Sequence, residues 1–150
     1  MLQSIKERKP LFIIFLAALF TAGIIVFLFH TDSKVNRENI AYINGCGWQV
    51  EEPAEISRLT VPQEFDVIYQ TYQEVIESSG FDLSLYQGKT LTRYSYPVTN
   101  HQNSDTGLIR ANVLVYRNKI VAADLSSLER GGFLQPIQDT KGQQEITSIS

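Results

Sequence analysis

Chemistry in a protein needs nucleophiles, titratable groups or metal ligands at workable spacing, and this chain offers few. Its 150 residues hold one cysteine, Cys46, and two histidines, His30 and His101. Neither histidine has partners at metal-ligand spacing, so no metal and no other cofactor is expected. Cys46 and His101 would form a nucleophile–base pair only by meeting in space. Cys46 follows the end of a predicted helix, not the helix start that lowers a thiol pKa, which favours a small buried side chain instead. No phosphate-cradling glycine loop, zinc-protease helix or serine elbow is present, and Gly131-Gly132 stands without such a context.

The polar residues that remain are Arg93, Arg110, Asn112 and Asp124, spread over three predicted strands. Two readings of them stay open. One is a solvated sheet face with cross-strand salt bridges. The other is a groove in which Arg93, Arg110 and Asp124 serve a small enzyme or an inhibitor, with Asn112 beside them as a ligand or partner contact. Tyr94 and Tyr96 alternate with these residues on the opposite face. They are expected to pack under the long helix, with a peptide- or glycan-binding face as the other reading.

The elements that must position these side chains follow from periodicity. Lys34 to Asn44 reads as a short amphipathic helix, capped from Asp32, Ser33 or Asn36 and stopped by Gly45 or Gly47. Trp48-Gln49-Val50 begins a strand, and Ile56 to Val61 resumes it at a sheet edge after Pro53. Pro62 to Ser79 is the clearest helix, with Phe65, Ile68, Tyr69, Tyr72, Val75 and Ile76 on one arc and Gln73 among the polar residues opposite. Phe81 to Gly88 is an ordered loop. From Lys89 the period changes to two, and strands are predicted from there to Val98, over Leu108 to Tyr116 and over Ile120 to Leu125. Arg117-Asn118-Lys119 turns the last pair, with Asn118 as the left-handed residue. The expected domain is α+β, with two helices packed on an antiparallel meander sheet. Gly131-Gly132-Phe133 adds one apolar contact, and Gln138 to Ser150 is expected to be a disordered tail.

Ahead of this domain lies Leu11 to Phe29, 19 residues without a charge, Asn or Gln. A helix over it spans about 28 Å, close to the hydrocarbon thickness of a bilayer. The run is too long for a signal-peptide core and is followed by Phe29-His30-Thr31-Asp32, which holds no small-x-small cleavage site. It is expected to be an uncleaved anchor. Lys6, Arg8 and Lys9 put the N-terminus on the cytoplasmic side and the domain outside. The expected organisation is a cytoplasmic tail over 1–10, a transmembrane helix over 11–29, a stalk over 30–36, an extracytoplasmic domain over 37–137 and the tail. The net charge is −3. Most of the acidic residues follow the anchor, so no nucleic-acid partner is expected, since that needs a basic face. The expected partners are the lipid bilayer, through Leu11 to Phe29, and a protein or envelope component.

Several short motifs occur in a characteristic order. They are Asn39-Ile40-Ala41-Tyr42-Ile43, Gly47-Trp48-Gln49-Val50, Val61-Pro62-Gln63-Glu64-Phe65, Gly80-Phe81-Asp82-Leu83, Tyr94-Ser95-Tyr96 and Ala111-Asn112-Val113-Leu114-Val115-Tyr116, then Asp124. Together, from Arg37 to Phe133, they resemble the domain-of-unknown-function family 4830, a bacterial family often found behind an N-terminal membrane segment. The chain departs from that pattern at Ala122-Ala123 and Asn118, where the family has glycines. It departs again at Gly132-Phe133-Leu134-Gln135-Pro136, where the family ends in Gly-Phe-Met-His-Gly. The resemblance implies no activity and carries over no functional residue. The residues favour a non-enzymatic binding module tethered to the membrane.

Overall fold

A computed structural model of the protein describes residues 34–52 and 55–143. The apolar run 11–29, the N-terminal tail, the caps Asp32 and Ser33, and residues 144–150 lie outside the described residues. The first helix, α1, covers 34–45, in agreement with the helix expected over Lys34 to Asn44 and overlapping the end of the expected stalk. Its residues from Asn39 onward belong to the compact unit that carries everything below. Gly47, at φ +93°, takes the left-handed conformation that turns the chain out of the helix.

Five strands form one antiparallel sheet in sequence order. They are β1 (Glu55–Thr60), β2 (Thr90–Pro97), β3 (Ile109–Tyr116), β4 (Lys119–Ser127) and β5 (Leu134–Pro136). With α1 and the second helix, α2 (Val67–Glu77), this is the expected α+β meander, extended by a strand on each side of the predicted three. The edge position of β1 agrees with the expectation for Ile56 to Val61. Trp48-Gln49-Val50 makes only an isolated bridge, Val50 to Val98. β5 is only three residues long, too short to show a period in the sequence. Arg117 and Asn118 both have positive φ, +47° and +62°, and close the β3–β4 hairpin in the sense that matches strand twist.

The long helix starts later than its sequence suggests. Asp66 caps it, its carboxylate accepting the Tyr69 N–H at 2.9 Å, so the helix begins at Val67 and not near Pro62. Val61 is held extended because its N–H and carbonyl pair with Lys89 and Gly88. The buried arc is also rotated from the expected one. Val67 and Ile68 are each 76% exposed, whereas Gln73 and Ile76 are buried. Gln73 is tolerated there because its amide is fully used. Its oxygen accepts the Leu83 N–H, and its nitrogen donates to Glu77 and Asp82.

Strand alternation gives the sheet two covered faces. On one, Leu91, Leu114 and Ala122 form a core with Val61, Ile76 and Leu83 under α2. On the other, the Tyr96 hydroxyl accepts a bond from Asn39 of α1 at 3.2 Å. Tyr96 thus does not pack under the long helix, as its alternation with Arg93 had suggested. Trp48 is fully buried and donates to the Ile137 carbonyl at 2.8 Å. His101 sits between Trp48 and Phe133, with ring centroids 5.8 and 5.5 Å away.

Residues 138–143 correct the first part of the expected tail. Gln138 donates to the Ser79 carbonyl, Gln102 N–H donates to the Gly142 carbonyl, and Gln143 donates to the Gly47 carbonyl. Backbone that finds such partners is ordered by them. Its polar composition resembles a tail only because those partners are far away in sequence.

Burial lowers the imidazole of His101 below its ordinary range. The unfolded chain therefore takes up a proton first, and stability falls as pH drops below about 6.5, the unfolded value. His101→Phe is expected to flatten the pH dependence of urea unfolding between about pH 6.5 and 5, with the fluorescence of the single Trp48 as the probe. An unchanged slope would count against this reading.

Candidate functional site

The strand register brings the polar residues together. Arg93 pairs with Leu114, Ser95 with Asn112, and Asn112 with Asp124. Directly paired residues share a face, here the one beneath α2. Asn112 is the centre. Its carbonyl oxygen accepts from Arg93 Nη2 at 2.8 Å, from Arg93 Nε at 3.3 Å and from the Ser95 hydroxyl at 2.8 Å. Its amide nitrogen donates to Asp124 at 2.6 Å and to the Ser126 hydroxyl at 2.9 Å. Tyr72 of α2 donates from above to the second Asp124 oxygen at 2.9 Å.

This is not a solvated face. Asn112 is 1% and Asp124 3% exposed. Among the described residues Arg93 and Asp124 form no direct ion pair, because the Asn112 amide stands between them. Burial raises the Asp124 carboxyl above the usual carboxylate range, opposed by the bonds from Asn112 and Tyr72 and by the charge of Arg93. Burial and the neighbouring carboxyl push the Tyr72 phenol well up, so it stays a donor. Arg110 does not join them. Its Nη1 donates to the Gly107 and Ile109 carbonyls, at 2.7 and 3.1 Å.

Beside this network a cavity of about 500 Å³ opens between α2 and the sheet. Arg93, Asp124 and Ser126 supply its polar side, and Leu59, Ile68, Tyr69, Leu114 and Phe133 its apolar walls. The volume lies in the range of small-molecule sites, about 300–1,000 Å³. Ile68, Leu128 and Leu134, all lining residues, are 76%, 55% and 41% exposed. Of the guanidinium donors, Nε and one Nη2 hydrogen are used on Asn112. The Nη1 group has no protein partner among the described residues. The arrangement can therefore receive an anion at Arg93 and apolar surface against the walls beside it.

Three members escaped the sequence reading. Tyr72 falls on the apolar arc of the long helix, Ser95 is a single hydroxyl between two tyrosines, and Ser126 lies past the predicted strand Ile120 to Leu125. A hydroxyl amid apolar periodicity signals nothing until its partner is known. Cys46 and His101, the other pair considered, have separate partners. Cys46 bonds the Tyr42 hydroxyl, and burial pushes its thiol up, away from a thiolate. His101 Nδ1 accepts the Asn103 N–H at 3.1 Å. Among the described residues no cluster of His, Cys, Asp or Glu could hold a metal ion.

Removing the central amide leaves a buried carboxylate and a guanidinium without their shared partner. Asn112→Ala is expected to destabilise the domain by at least about 3 kcal/mol in urea unfolding. Arg110→Ala, which touches only local carbonyls, should cost within about 0.5 to 1 kcal/mol. Equal losses would contradict the central role of Asn112.

No curated protein and no solved structure matches the chain. A family match does exist, to the family described as Domain of unknown function (DUF4830), and it covers residues 42–125. The matched stretch holds α2, the first three strands and most of β4, and with them Tyr72, Arg93, Asn112 and Asp124. Ser126, Leu128 and Phe133 lie beyond it. The match takes in more than half of the chain, in the place the sequence motifs indicated, and the chain belongs to the DUF4830 family.

Proposed function

We propose that the protein is a non-enzymatic binding module at the bacterial cell envelope, anchored by Leu11 to Phe29 with its domain outside the cytoplasmic face. The groove between α2 and the sheet is the binding surface. One observation carries this reading: a cavity of about 500 Å³ that joins an arginine with unused donors to apolar walls and an exposed apolar rim. Exposed apolar side chains gathered round a concave site are costly to keep in water and mark a contact surface. The chemistry of the floor supports binding over turnover. Both Asp124 oxygens already accept hydrogen bonds, from Asn112 and Tyr72, so the carboxylate is held as a fixed strut more than as a free base. Arg110, needed by the enzymatic alternative, is engaged elsewhere.

Among the described residues no helix is long and apolar enough to cross a membrane. The anchor therefore rests on the composition of the run 11–29. Two measurements test the proposal. The full chain is expected to stay with membranes through carbonate extraction, and its release would remove the tether. A photo-crosslinking residue at Leu128 is expected to give defined adducts in intact membranes. The same residue at Lys119, on the exposed hairpin, should not. Equal labelling from both positions would reject the groove as the binding surface.

A further inference from the structure

The groove joins a small charged patch to apolar walls, and the balance between them narrows its ligand. Among the described residues Arg93 is the one cation that lines it. A guanidinium with its Nη1 group unused offers parallel N–H donors, the geometry that grips a carboxylate or a phosphate oxygen pair. Asp124 lines the same cavity, on the far side of the Asn112 amide. A second full negative charge on the ligand would meet that carboxyl without a second cation to offset it. A monoanion escapes this penalty. The rest of the wall is aliphatic or aromatic, from Leu59, Ile68, Leu114 and Phe133. Besides Arg93 and Asp124, the polar groups there are the hydroxyls of Tyr69, Tyr72, Ser126 and Ser127, and those of Tyr72 and Ser126 are already bonded to Asp124 and Asn112. A peptide chain would bring a backbone donor and acceptor at every residue and leave most of them unpaired against such walls.

We propose that the groove binds a small amphiphilic monocarboxylic acid, its carboxylate held by Arg93 and its apolar body laid against the neighbouring Leu114 and Leu59, with the exposed Ile68 at the rim. This deepens the reading of the groove as the binding surface and rests on it. Ile68 at the mouth then covers the ligand's outer end, which gives its 76% exposure a purpose.

Calorimetric titration of the full chain in lipid nanodiscs with phenylbutyrate tests the assignment, with phenylbutanol, phenylbutylamine and phenylbutyl phosphate as comparators. Phenylbutyrate is expected to bind saturably at one site, and each comparator at least about tenfold more weakly, because only the monocarboxylate satisfies the guanidinium without opposing Asp124. Arg93→Met should lower the affinity at least about tenfold. Arg93 also braces Asn112, so that variant could lose its fold. Ile68→Glu, at an exposed position that places a like charge at the mouth, provides the second test and should weaken binding comparably. Arg110→Met, outside the cavity, should leave binding unchanged. The assignment is overturned if the alcohol, amine or phosphate binds as tightly, if Ile68→Glu keeps full affinity, or if a tetrapeptide ending in leucine binds while phenylbutyrate does not. Absence of binding by every probe also overturns it. Position-specific crosslinking from Leu128 would then still uphold the groove as a contact surface for something else.

Discussion

A single buried amide holds this domain's polar interior together. Asn112 takes donors from Arg93 and Ser95 on one neighbouring strand and gives protons to Asp124 and Ser126 on the other. It thereby satisfies five side-chain contacts across three strands from a position that is 1% exposed. Without it, the buried Asp124 carboxyl would lose one of its two donors and Arg93 the acceptor that holds it. An amide is well suited to that place, since it accepts on one side and donates on the other without adding charge. The same choice leaves part of the Arg93 guanidinium free for the cavity.

That polar floor survives because the sheet is covered on both sides. Under α2, an apolar core of Leu91, Leu114 and Ala122 continues into the polar network, and Tyr72 links the helix to Asp124. On the other face, Asn39 meets Tyr96, and Trp48 with its ring neighbours His101 and Phe133 closes the end of the sheet. Two further amides brace the periphery. Gln73 ties the loop after α2 back to the helix, and Gln138 holds the segment after β5 to the Ser79 carbonyl. Small residues matter as well. Ala122 and Ala123 are both fully buried, one toward each face.

The cavity follows from the same packing. α2 begins only at Val67, because Asp66 caps it and Val61 is held beside Lys89, and its arc turns Ile68 outward. The first half of the helix leaves Ile68 in water while Tyr69 and Tyr72 pack against the core, and in the second half Gln73 and Ile76 are buried.

The sequence by itself determined the strand periods, the edge position of β1, the left-handed Asn118 and the existence of the long helix. These are local properties, written in two-residue and 3.6-residue spacing and in the φ preferences of single residues. It also placed Arg93, Asn112 and Asp124 on adjoining strands, which register alone could bring together. Tertiary structure decided the rest. Alternation separates the two faces of a strand but does not say which lies under a helix, and here both are buried. So the polar face went beneath α2, Tyr96 went to α1, and Arg110 turned away to Gly107. Gln73, Ser95, Ser126 and the segment 138–143 looked like solvent-facing polar residues, because a hydrogen-bond partner tens of residues away leaves no trace in local composition.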